Sequence, residues 1–226
     1  IRRLLAALAG QDHLAAPQHR DPVGEAHDLV HAVGDEEDQR AFAGKLLLTA
    51  RGRRLLFKSP SHTARVRHLL RVFPGARFIH ISRPPTTVFQ SNIALVRTLQ
   101  DVFRLGPRID ADAQEEMIVA EYLESEERYL SDRDLIPPGH LAEVRLQDLA
   151  ADPMGEIARI YGELGLTVSD EFRSRLVKKL TAPRQRTPLE HPQMTNAQAA
   201  RAARLERLGP AFGHDQPTIP KVDVLA

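Results

Sequence analysis

The chain has 226 residues, 42% of them hydrophobic, which suits one domain with a buried core. Lysine plus arginine (31) nearly balance aspartate plus glutamate (30), so no global field points to a nucleic-acid partner. Cysteine is absent, which excludes disulfides, thiol catalysis and thiolate metal sites, and no apolar run is long enough to span a membrane.

Residues 1–9, IRRLLAALA, read as the end of an amphipathic helix stopped by Gly10. The run is too short for a signal peptide and lacks a cleavage pattern after it, so a cytoplasmic protein is expected. Gln11 to Gly24 is a loop by composition. His13, His19, His27 and His31 have no cysteine partner and no H-E-x-x-H pattern, and read as scattered surface side chains. The i, i+4 spacing of His27 and His31 leaves a weak metal reading open, but no metal site is expected. The acidic run 34–38 precedes a helix from about residue 36, where negative charge suits the amino end. Phe42, Leu46 and Leu47 carry that helix toward Gly52.

Leu55-Leu56-Phe57 reads as a strand that stops at the polar cluster Lys58-Ser59-Pro60-Ser61-His62. Val66, Leu69, Leu70 and Phe73 then fall at helical spacing, and Pro74-Gly75 ends that helix. Arg77 to Ile81 is a second strand, running into Ser82-Arg83-Pro84-Pro85 before a helix over 86–104. Two strand–helix units in succession imply a parallel sheet, whose ligands sit at the carboxyl ends of its strands. Both polar clusters, 58–62 and 82–91, therefore belong to one edge.

Gly106 to Asp110 breaks the chain before a strongly acidic helix at 111–131, whose carboxylates read as a solvated face. Ile136 to Gly139 is a turn and His140 to Arg145 a third strand. Helices at about 153–164, with Pro153 near the first turn, and 169–181 follow. PRQRTPLEHPQ is a loop, and Thr195 to Leu208 an alanine- and arginine-rich helix. The expected architecture is α/β in three layers, α/β/α, with a single domain over 1–208 and a proline-bearing tail over 209–226.

Four residues carry the chemistry. Arg83 at a strand end and Ser91 in the first turns of the next helix suit an anion, because a guanidinium gives directed charge-assisted donors and a helix amino end favours negative charge. Lys58 and His62 supply a cation and an imidazole that titrates near neutral pH. Ser59, Ser61, Thr86 and Thr87 read as helix caps.

The run LLFKSPSHTARVRHLLRVFPGARFIHISRPPTTVFQS and, downstream, IPPGHLAEVRLQDLAADPMGEIARIYGELGL at 136–166 resemble bacterial sulfotransferases that use 3′-phosphoadenosine 5′-phosphosulfate (PAPS). The resemblance covers about residues 41 to 180. It implies a P-loop-NTPase-like sulfotransferase fold with a short parallel sheet. PAPS would be the co-substrate, adenosine 3′,5′-bisphosphate the product, and no metal would take part. By the same resemblance Lys58 steadies the transferring sulfonate, His62 acts as base or acceptor-binding residue, and Arg83 with Ser91 binds the 3′-phosphate. The acceptor would be a hydroxyl or amine on a small molecule, lipid or carbohydrate. Stretches 11–40, 104–116 and 182–195 would build its pocket. Neither the acceptor's identity nor the oligomeric state is legible.

The chain departs from the family pattern in three places. No P-R-S-G-T-T loop occurs, so the first strand and phosphate loop are expected upstream of Ile1 and the fold is read as N-terminally incomplete. The usual R-D-P reads Arg83-Pro84-Pro85, which removes a carboxylate and a backbone donor. The tyrosine of Y-E-D-L is replaced in Leu146-Gln147-Asp148-Leu149. Two other readings stay open: a degenerate homologue acting as a binding or interaction protein, and another P-loop-type transferase such as a kinase, for which no G-x-x-x-x-G-K-[ST] is present.

Overall fold

The sheet of the computed structural model has the strand order β2-β1-β3-β4, with β1 at Leu5–Ala9, β2 at Leu55–Ser59, β3 at Phe78–Ser82 and β4 at Leu141–Arg145. The structure describes residues 5–9, 36–50, 54–103, 109–181 and 192–214. Its helices are α1 (Glu36–Ala50), α2 (Val66–Val72), α3 (Pro85–Phe103), α4 (Ala111–Asp132), α5 (Leu146–Ala151), α6 (Pro153–Glu163), α7 (Asp170–Thr181) and α8 (Asn196–Glu206). A 3-10 turn over Pro60–Arg65 joins β2 to α2. The histidines at 13, 19, 27 and 31 lie outside the described residues.

β3 and β4 pair in parallel, from Phe78 opposite Leu141 to Ser82 opposite Arg145. β1 lies antiparallel to β2 on one side and β3 on the other. β2, β3 and β4 therefore share one direction, and their carboxyl ends lie along one edge. β1 corrects the expected helix at 1–9. A five-residue apolar stretch has no period that separates helix from strand. An isolated turn or two of helix is also unfavourable to nucleate, whereas a strand between β2 and β3 pairs its backbone groups with both neighbours.

Alternation along β3 sends its side chains into two different cores. Phe78 packs with Val66 and Leu69 of α2, Tyr129 of α4, and Ile136. Ile79 and Ile81 face the other way, onto Ala142 and Val144 of β4 and Ile160 of α6. Helices thus cover both faces of the sheet, as the three-layer expectation requires. A third cluster lies among helices alone: Val88, Phe89 and Ile93 of α3, Ile118, Val119 and Tyr122 of α4, and Ala202 and Leu205 of α8.

The acidic helix α4 is not simply a solvated face. Its amino end is capped by Asp110, whose carboxylate accepts from the Ala113 amide at 3.0 Å. Glu115 and Glu126 are buried. Arg201 of α8 binds Asp112, Glu115 and Glu116 at 2.8, 2.9 and 3.0 Å. Arg204 and Arg207 continue the series to Glu116 and Glu127. The arginine-rich composition of α8 and the glutamate-rich composition of α4 are therefore two sides of one contact. The arginines hold the exposed Glu116 carboxyl below its ordinary pKa, chiefly through the Arg204 hydrogen bond.

The segment assigned by composition to a tail has its first residues folded. Pro210–Phe212 forms a 3-10 turn, and the Phe212 ring lies against His80 and Tyr129. Residues 215–226 lie outside the described residues.

Beneath Phe212, the His80 and Tyr129 rings stack with centroids 4.0 Å apart, and His80 Nε2 lies 3.5 Å from a Glu126 oxygen. The Tyr129 hydroxyl donates to Glu143 at 2.6 Å. Burial, then that hydrogen bond, raises the phenol's pKa far above its ordinary value near 10. A group whose pKa is raised on folding contributes stability that is complete below the unfolded value and is lost as pH rises beyond it. Urea unfolding at pH 9 to 11.5 should show Tyr129→Phe losing less stability with rising pH than the wild type. The difference should approach about 1.4 kcal/mol per pH unit above pH 10. Parallel slopes for the two proteins would show that Tyr129 does not govern alkaline unfolding.

Candidate functional site

The carboxyl edge of the sheet is set by register. Leu5 of β1 is opposite Ser59 of β2 on one side and His80 of β3 on the other. Two strand spacings separate Ser59 from His80, about 10 Å across the sheet. β2 gives way to its 3-10 turn at this level, and β3 runs two residues further to Ser82 before the chain reaches Arg83. The two expected clusters therefore leave the same edge of the sheet, separated by the width of β1.

On the β2 side, Lys58 is exposed, while Ser59, His62 and Thr63 are buried. The 3-10 turn carrying His62 packs against α4, which accounts for that burial. Ser59 does not cap the turn through its side chain. Its hydroxyl instead shares a 2.8 Å hydrogen bond with that of Ser61.

On the β3 side, Arg83 is half-buried, and α3 opens at Pro85 with the Val88 amide donating to the Pro84 carbonyl at 3.1 Å. Proline in the first turn forfeits a donor that the helix does not need there. Ser91 lies less than two turns in and is buried at 8% exposure. Thr86 does not cap its own helix. Its hydroxyl and its amide both donate to one oxygen of Glu206, the last residue of α8.

Beyond β3 and β4 the edge holds a cavity of about 400 Å³. His80, Ser82, Glu143, Arg145, Asp148 and Phe212 are among its walls. Arg145 donates to Asp148 at 2.5 Å and to the Gly213 carbonyl at 2.9 Å. Arg159 of α6 donates to the Glu143 carbonyl at 2.9 Å and so covers a backbone acceptor of β4, which among the described residues has a strand neighbour on one side only. Its hydrogen bond to Glu156 raises its pKa, with Glu163 adding to the effect and partial burial opposing it.

Sequence reasoning placed Lys58, His62, Arg83 and Ser91 on this edge. It missed Glu206, His214, Arg145 and Asp148, which reach the same edge from β4, α5, the end of α8 and the turn that follows it. His214 is buried, and its Nε2 lies 3.1 Å from Ser82 Oγ. Nothing local in the sequence marks Glu206 or His214. The L-Q-D-L run does place Asp148 after a strand, three residues from Arg145, a spacing that suits an ion pair on a first helical turn.

A sequence profile described as "Sulfotransferase family" matches residues 2–170. The chain is 35% identical over 126 residues to the omega-hydroxy-beta-dihydromenaquinone-9 sulfotransferase Stf3 of Mycobacterium bovis, covering 56% of this chain and 32% of that protein. The Mycobacterium tuberculosis protein of the same name matches equally. The crystal structure of sulfotransferase STF9 from Mycobacterium avium superposes with a TM-score of 0.61 at 24% identity, over 79% of this chain and 44% of that one. That likeness is one of fold. The chain spans about a third of the length of the curated relatives it matches.

Proposed function

This chain belongs to the sulfotransferase family, and from that membership we propose that it carries the part of a PAPS-dependent enzyme that grips the nucleotide and supplies the base. The reading rests on one observation: the clusters bearing Lys58 and His62, and Arg83 and Ser91, leave the same edge of the sheet from strands about 10 Å apart. The acceptor hydroxyl attacks the sulfur of PAPS, the bond from sulfur to the bridging phosphate oxygen breaks, and adenosine 3′,5′-bisphosphate departs. His62 takes the acceptor proton. Lys58 neutralises charge on the sulfonate and bridging oxygen, and the in-line geometry makes positioning the main task. Arg83, Ser91 and the amino end of α3 hold the 3′-phosphate. These residues fit an anion, since Arg83 lies two residues before the helix start at Pro85 and Ser91 lies within its first turns. A hydroxyl acceptor is supported by the ω-hydroxy group that the name of the mycobacterial relatives gives theirs.

Pro84 and Leu146 favour a second reading, a homologue that binds without turnover, because each replaces a group that the family pattern places near the nucleotide. One titration series addresses both. Adenosine 3′,5′-bisphosphate should bind more tightly than adenosine 5′-phosphate, and Arg83→Ala should erase at least a tenfold part of that preference. Equal losses for the two nucleotides would remove Arg83 from the 3′-phosphate. Binding without any transfer of labelled sulfonate from PAPS to an alcohol would select the second reading.

A further inference from the structure

The short loop that carries Arg83 is held from both sides by one distant piece of chain. Ser82, just before it, contacts His214 through its hydroxyl at 3.1 Å. Thr86, just after Pro84-Pro85, gives its amide and hydroxyl to Glu206. The Glu206 contact spans 120 residues and the His214 contact 132. Thr86 and Ser82 are 1% and 4% exposed, so neither contact is a surface accident.

The holder is itself fixed. α8 is anchored to α4 by its arginines and to α3 through Leu205 and Ala202. Beyond α8, the chain folds back on itself, with the His214 amide donating to the Gly209 carbonyl at 2.9 Å. Gly209 permits this approach, because a Cβ there would lie 2.7 Å from the His214 carbonyl oxygen and 3.1 Å from that of Glu206. Arg145 ties the same turn to β4 through the Gly213 carbonyl.

We infer that Glu206 and His214 are positioning residues, and that the segment 196–214 is a clamp that presets the Arg83 loop for the nucleotide's 3′-phosphate. The role assigned to the loop rests on the function proposed above, whereas the clamp itself rests on the contacts just described. Three residues, Arg83, Pro84 and the first residue of α3, Pro85, separate the two held positions. Their backbone is thus fixed by two prolines and two tethers before any ligand arrives. An anion then meets a guanidinium already in place, and the ordering cost falls on folding rather than on binding.

The test uses the full chain as wild type, Glu206→Gln, Glu206→Ala and Gly209→Ala. Hydrogen exchange reports the clamp without reference to function. Glu206→Ala and Gly209→Ala should speed exchange at the amides of Thr86 to Phe89 about tenfold or more, leaving Ile118 to Tyr122 in α4 unchanged. Calorimetry reports the consequence: both variants should lose about tenfold of the preference for adenosine 3′,5′-bisphosphate over adenosine 5′-phosphate. Glu206→Gln, whose amide oxygen still accepts from Thr86, should restore both readouts. Unchanged exchange at Thr86 to Phe89, or equal loosening of α4, would overturn the clamp. Tighter bisphosphate binding by Glu206→Gln than by wild type would overturn it too, making the carboxylate a competitor of the phosphate. If exchange behaves as expected but the wild type ignores the 3′-phosphate, the clamp survives and the reading of Arg83 falls.

Discussion

Replacing His62 with alanine should slow sulfonate transfer by about 10²- to 10⁴-fold while leaving the affinity for adenosine 3′,5′-bisphosphate close to wild type. The expectation follows from the role proposed for the imidazole as acceptor of the hydroxyl proton. His62 is only 3% exposed, in a turn packed on α4, so the alanine variant also opens a space in the core. His62→Gln separates the two effects, since it keeps most of the volume and hydrogen-bonding capacity but has no basic nitrogen. Both variants should lose the acidic limb of the pH–rate profile, where protonation of a base suppresses turnover. A fall in nucleotide affinity with turnover per bound complex preserved would make His62 a binding residue. A His62→Gln variant that transfers at the wild-type rate would end its assignment as base.

Phe78→Ala should cost about 3–5 kcal/mol of stability, the range for deleting a fully buried phenylalanine ring. Phe78 has no exposed surface and sits where α2, α4 and Ile136 meet the sheet. Domains of this size are held by roughly 5–15 kcal/mol in all, so the loss takes a substantial fraction of the total. Urea unfolding followed by circular dichroism measures the loss, and Phe78→Leu, which keeps most of the volume, should lose much less. A loss below about 1 kcal/mol for the alanine variant would mean that the face of β3 turned toward α2 and α4 is not a centre of the core.

The stretch from Leu55 to Phe103 was legible because each element carries its own signal. Apolar runs end at prolines and polar clusters, and the helical period is clear at Val66, Leu69 and Leu70. The same local logic fails where a side chain's partner is far away in sequence. Glu115 reads as solvated because nothing near it announces Arg201 and Gln198, which approach it from 86 and 83 residues downstream. Thr86 reads as a cap, yet a carboxylate 120 residues away takes its hydroxyl. β1 was misread for another reason. Five apolar residues fit a helix or a strand equally well, and only the place between β2 and β3 decides between them. Of the candidate site, the placement of the clusters bearing Lys58, His62, Arg83 and Ser91 at one sheet edge was readable. The C-terminal residues that close round the same edge were not.

The lateness of α8 in the chain has a consequence for synthesis on the ribosome. Chains grow from the amino end at about 5–20 residues per second and domains tend to fold as they emerge. α3 and α4 are complete long before residues 196–214 exist, so Val88, Phe89, Ile118 and Tyr122 must wait for Ala202 and Leu205 with an apolar seam uncovered. During that interval the nascent protein is exposed to aggregation and to chaperones. A chain released before Asn196 would display that seam permanently, along with a row of glutamates whose arginines were never made.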